Sequence, residues 1–123
     1  MATVVALVAD LMFGSRIEAM LAAAGDDVTL VADEPRLRAR LTRDSAAAVL
    51  VVDLTDAALE RIALVEALRG EGKLAGVRTL GFYSHVDTDT RRHATAAGFD
   101  LVVARSRMAR EGAALVHGLA SAP

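Results

Sequence analysis

The sequence contains no cysteine, which excludes a disulfide framework and thiolate chemistry. It has no tryptophan, one tyrosine and three phenylalanines, so the hydrophobic 54% of the chain must build an aliphatic core. Excess charge of one sign is missing too. The 14 basic and 16 acidic residues leave a net charge of −2, which gives no global attraction to nucleic acid or anionic lipid. No apolar run approaches the ~18 residues of a membrane span. The N-terminus shows no basic segment followed by an apolar stretch and a small-residue cleavage site. The expectation is a cytoplasmic protein. The glycine fingerprint of dinucleotide sites is absent after the first apolar run, where only Gly14 stands, and no Walker loop occurs, so no nucleotide cofactor is expected. The three histidines, His85, His93 and His117, lack metal-ligand spacing. There is no linker, repeat or low-complexity tract. At 123 residues the chain is expected to be one domain over 1–123 without an output domain, since only Ala-Ser-Ala-Pro follows Leu119.

What is present alternates between two patterns. Short apolar runs rich in β-branched residues occupy Thr3–Val8, Val28–Val31, Ala48–Val52, Val77–Tyr83 and Leu101–Ala104. Most are continuous rather than alternating, as in parallel strands covered on both faces. The run Val28–Val31 is short and broken by Thr29, which suits a strand near an edge.

Between them lie segments of helical period. Ile17, Met20, Leu21 and Ala24 form a stripe ended by Gly25. Asp33-Glu34-Pro35 is a start signal, with Leu37 and Leu41 inward and Arg36, Arg40 and Arg43 toward water. Leu59, Ile62, Ala63, Val65 and Leu68 form a third stripe that stops at Gly70 or Gly72. A fourth helix runs from about Asp89 to Ala97 before Gly98, and a fifth from about Met108 to Leu119. This βαβαβαβαβα order predicts an α/β fold, a flavodoxin-like (βα)5 three-layer sandwich with a parallel sheet of order 2-1-3-4-5.

In open α/β sheets ligands bind beyond the carboxyl ends of the strands. Those ends carry Ala9-Asp10, Asp53-Leu54-Thr55-Asp56, Ser84-His85-Val86-Asp87 and Arg105-Ser106-Arg107. Two acids, a hydroxyl and a guanidinium should converge there. Each has a plainer reading. Asp53 is a strand-end acid paired with Arg105, Asp10 a helix-start acid, Ser84 a loop cap and His85 a loop residue. Asp87 or Asp89 is an N-cap, and Arg105-Ser106-Arg107 is a solvated turn rather than an anion site. The arginines 36, 38, 40 and 43 lack interleaved aromatics and read as a solvated helix surface, not a nucleic-acid site.

Over nearly its whole length this layout resembles the receiver domain of bacterial two-component response regulators. The resemblance makes Asp10 the second acid of a metal-binding pair, Asp53 a phosphoacceptor, so that the chain would be a phosphoprotein, and Ser84 the switch hydroxyl. It implies Mg²⁺ held through Asp10 and Asp53, a histidine kinase or other signalling protein as partner, and the strand-4, strand-5 and helix-5 face as a site for that partner or a homodimer.

The departures shape the expectation. Ala9 stands where the first acid belongs, Arg105 replaces the lysine, and Ser106 replaces the proline after it. Leu54-Thr55-Asp56-Ala57 lacks the Met-Pro that usually follows the acceptor loop. Mg²⁺ needs an octahedron of oxygens, and losing an acid weakens it. A planar guanidinium does not substitute for a compact ammonium, and with no phosphate present it can pair with Asp53 in a fork. The expectation is thus an atypical or pseudo-receiver, not an enzyme, that signals by protein contact and holds Mg²⁺ weakly if at all. The alternatives are a phosphoaccepting receiver using Asp53 and Mg²⁺, and an anion- or small-molecule-binding protein, even a hydrolase, built on Ser84, His85 and Arg105; Ser106 is a further candidate for the anion site.

Overall fold

Five strands and five helices alternate along the chain in the computed structural model, which describes residues 2–43, 47–84 and 87–122. They are β1 (Thr3–Leu7), α1 (Leu11–Ala23), β2 (Asp27–Val31), α2 (Glu34–Arg43), β3 (Val49–Asp53), α3 (Ala58–Gly70), β4 (Arg78–Tyr83), α4 (Thr88–Ala96), β5 (Leu101–Ala104) and α5 (Arg105–Ser121). The sheet is parallel throughout, in the order β2-β1-β3-β4-β5. This is the predicted flavodoxin-like arrangement, with β2 at an edge as its broken apolar run suggests.

The continuous apolar strands fill both faces of the sheet. Val4, Ala6, Val49 and Val51 point to one side, where they pack with Phe13, Ile17 and Leu21 of α1 and Met108 and Val116 of α5. Val5, Leu7, Leu50 and Val52 point to the other, against Leu37 and Leu41 of α2, Ile62, Val65 and Leu68 of α3 and Ala94 of α4. A fully buried Leu or Val contributes about 1.5–3 kcal/mol, so the two aliphatic layers carry the fold. α1 and α5 therefore share one layer.

Aspartates start three helices. Asp10 accepts from the Met12 and Phe13 amides, Asp33 from the Arg36 amide, and Asp87 from the Thr90 amide. These bonds satisfy amides that the first helical turn leaves without partners.

Three expectations need correction. Leu59 is 66% exposed and Ala63 lies outward, while Leu64 turns inward, so the α3 stripe is Ile62, Leu64, Val65 and Leu68. In α1 the inward set is Phe13, Gly14, Ile17 and Leu21, with Ala24 exposed. Finally, α5 begins at Arg105 rather than near Met108, so Arg105-Ser106-Arg107 is the first helical turn and not a loop. Among the described residues no helix is long and apolar enough to cross a membrane.

Candidate functional site

At the carboxyl edge of the sheet, β1 hands over to α1 through Ala9 and Asp10. Asp10 spends Oδ1 on the first turn of α1, accepting from Met12 N at 3.0 Å and Phe13 N at 3.1 Å. Its Oδ2 accepts from the Arg105 guanidinium at 3.0 Å. The Phe13 amide, then Arg105, then the Met12 amide hold the carboxyl below the usual aspartate range, against partial desolvation. The second Arg105 amino group approaches Thr55 Oγ1 at 3.5 Å, and the guanidinium carbon lies 3.9 Å from the centre of the Phe13 ring. Arg105 is thus fixed by a carboxylate at its edge and an aromatic face beneath it.

The sequence reading expected the partner of Arg105 to be Asp53, and the structure places it on Asp10 instead. The reason is the layer. Arg105 lies in the first turn of α5, and α5 packs beside α1, so the guanidinium meets the residue that starts α1. Asp53 accepts from the Thr55 amide at 2.8 Å, its single side-chain hydrogen bond among the described residues. Thr55 therefore receives the end of Arg105 while its amide is tied to Asp53. The following loop enters α3 through Ala57, a non-glycine residue at φ 53°, a left-handed conformation that costs on the order of 1–2 kcal/mol.

Ser84 lies half-buried at the end of β4 and borders, with Phe13, Arg16, Thr55, Arg105, Ser106 and Ala109, a shallow hollow beside the Arg105–Asp10 pair. Asp87, rather than Asp89, caps α4. His85 lies outside the described residues. Phe13 and Arg16 were not expected in the site. The only sequence signal for them was an aromatic three residues after Asp10 and an arginine one turn later.

The residues present do not fit Mg²⁺ well. Ala9 has no carboxylate, Asp10 is committed to a helix cap and to Arg105, and among the described residues no three acidic or histidine side chains gather as a metal site. A hard cation of octahedral demand would have to displace a guanidinium to use Asp10.

No family model matches the sequence, and comparison with curated proteins finds no match. Comparison of the fold is different. A response regulator from Thermotoga maritima superposes with a TM-score of 0.85 at 17% identity, covering 98% of each chain. The receiver domain of Francisella response regulator 1452 gives 0.79 at 18% identity, over 98% of this chain and 97% of that one. An orphan response regulator of H. pylori gives 0.79 at 14% identity, over 97% and 96%. The chain has the receiver-domain fold. In that fold the ends of β1, β3 and β4 and the start of α5 meet at one edge, which brings Asp10, Asp53, Thr55, Ser84 and Arg105 together as the strand order predicts. At that edge this chain carries Ala9 beside Asp10, and an arginine, Arg105, bonded across to Asp10.

Proposed function

We propose that this chain is an atypical, single-domain receiver that signals through protein–protein contact without standard aspartyl phosphorylation. The observation that carries the reading is the 3.0 Å bond from Arg105 to Asp10. It puts a fixed positive charge where a metal-assisted phosphoryl transfer would need a divalent cation. Ala9 supports the same reading, because the one acid left at the end of β1 is already neutralised by a neighbour. The domain is a signalling module rather than an enzyme, with a histidine kinase or another signalling protein as partner. The face of β4, β5 and α5 is the first candidate for that partner or for a homodimer.

The test is incubation with Mg²⁺ and acetyl phosphate, or with beryllofluoride, followed by intact mass and NMR. The reading expects no adduct and only small Mg²⁺-dependent shifts. A stoichiometric adduct that disappears in Asp53→Asn would overturn it. That outcome would favour the second reading, a phosphoaccepting receiver that uses Asp53 and Mg²⁺. One feature speaks for it: Asp53 has a single side-chain hydrogen bond among the described residues and so keeps an oxygen available.

A further inference from the structure

The opposite end of the sheet carries a hollow of about 560 Å³, between the turn that follows α3 and the last turn of α5. Small-molecule sites run from roughly 300 to 1,000 Å³. The hollow shares no lining residue with the one at the carboxyl edge. Arg69, near the end of α3, borders it. One amino group of that guanidinium, Nη2, donates to the Gly98 carbonyl at 3.0 Å and to the Thr79 hydroxyl at 3.3 Å. Thr79 is fully buried, so the head group is anchored from the protein side. Both acceptors are neutral. Among the described residues Arg69 has no ion-pair partner, and its Nε and Nη1 donate no hydrogen bond. The other two charges on the wall face each other: Arg78 lies 3.8 Å from Asp100 Oδ1, while Oδ2 of Asp100 accepts from the amide and hydroxyl of Thr79. One positive charge is therefore left over. Further donors lie along the turn. Leu74, Ala75 and Gly76 border the hollow, and their amides donate no hydrogen bond among the described residues.

We propose that this hollow binds a small monocarboxylic acid with an apolar body, its carboxylate on Arg69 and the turn amides and its body against Leu74, Val77 and Leu119. The charge selects the ligand. One uncompensated guanidinium matches one negative charge, whereas a phosphate ester carries a second, which the carboxylate of Asp100 on the same wall repels. A zwitterion such as a free amino acid fits no better, because its ammonium would need Asp100, whose two oxygens are already engaged. A carboxylate has two oxygens, one for Nη1 of Arg69 and one for an amide of the turn. Leu119 and Ala48 on the wall are half-buried, so an apolar body laid over them removes exposed hydrocarbon from water. None of these residues belongs to the carboxyl edge, and the failure of this site would leave the reading above untouched.

The experiment is an NMR titration of the full chain at pH 7 and constant ionic strength with benzoate, and in parallel with benzamide, acetate and phenyl phosphate. Saturable benzoate shifts are expected in the amides of residues 71–77 and in the last turn of α5. Benzamide, which has the ring without the charge, should bind at least ten-fold more weakly, and acetate, which has the charge without the ring, likewise. Arg69→Gln should weaken benzoate binding about ten-fold, as for the loss of a charge-assisted hydrogen bond. Arg69 is exposed, so the variant keeps the fold, which circular dichroism verifies, and the comparison with benzamide needs no variant. Absence of saturable benzoate shifts overturns the proposal. So do shifts confined to the first turns of α1 and α5, benzamide or phenyl phosphate bound as tightly as benzoate, or benzoate binding that ignores Arg69→Gln.

Discussion

Arg105 is the residue on which the site turns. Its side chain is about one-third exposed, and so partly screened. Its importance is therefore occupancy rather than stability: while it holds Asp10, a cation must compete with it. Arg105→Ala should raise Mg²⁺ affinity several-fold, seen as Mg²⁺-dependent shifts of the Asp10 and Asp53 amides at lower metal concentration. Arg105→Lys should act in the same direction, because an ammonium cannot keep the forked contacts to Asp10 and Thr55. Unchanged Mg²⁺ titrations in both variants would remove Arg105 as the competitor. The carboxyl of Asp10 should stay low in Arg105→Ala, since the Phe13 amide is the larger cause of its shift. The residues of the site were legible in the sequence as strand ends, but their pairing was not. Strand order alone gave no reason to prefer Asp10 over Asp53. The choice depends on α5 sharing a layer with α1, and on Phe13 turning a helix-start residue into a platform for the guanidinium.

At the level of elements, what could be read was the material with strong pattern, and what could not was the material held by contacts between elements. The start of α5 was misplaced because its N-cap is Ala104, with no side-chain oxygen to announce it. The run Val77–Tyr83 is largely apolar, yet Thr79 in β4 is fully buried and polar. Its amide and hydroxyl donate to Asp100 Oδ2 at 2.7 and 3.1 Å, and its hydroxyl oxygen accepts from the Asp100 amide at 3.1 Å and from Arg69 at 3.3 Å. That clasp ties β4 to the start of β5 at the end of the sheet opposite the site. Gly81, also in β4, has a different reason. A Cβ there would lie 2.8 Å from a Leu54 methyl and 3.1 Å from the Phe99 ring, both buried. Gly81→Ala should therefore cost about 1–3 kcal/mol by overpacking. Gly112→Ala in α5 meets the flexible ends of two methionines, the terminal methyl of half-buried Met20, which can swing aside, and, at 3.1 Å, that of buried Met108, which has only to give by a few tenths of an ångström, and helix propensity returns up to about 1 kcal/mol. Urea denaturation of the two variants checks the contrast. Equal losses would mean that the layer of Leu54 and Phe99 yields as easily as a methionine end.

Across the whole molecule the charges nearly cancel, so acid sensitivity should come from local carboxylates rather than from global repulsion. Among the described residues four are held low: Asp10 first by the Phe13 amide, Asp33 first by the Arg36 amide, Asp87 first by the Thr90 hydroxyl and Glu71 first by the Arg38 guanidinium. Three of them start helices and the fourth links α2 to the turn after α3, so they are spread over both helical layers. Each has a lower pKa folded than unfolded. Its stabilising contribution is complete above the unfolded value, near 4 for an ordinary carboxylate, and is lost as pH falls through the lowered folded value. Stability should therefore be flat from pH 7 to about 5 and decline below pH 4. Asparagine caps a helix as well as aspartate but does not titrate. The triple variant Asp10→Asn, Asp33→Asn, Asp87→Asn should then keep its fold at pH 7 and lose less of its stability on going to pH 3. Urea unfolding of both proteins at the two pH values measures this. A wild type as stable at pH 3 as at pH 7, or a triple variant with an undiminished acid loss, would mean that the helix-starting aspartates do not set the acid limit of this fold.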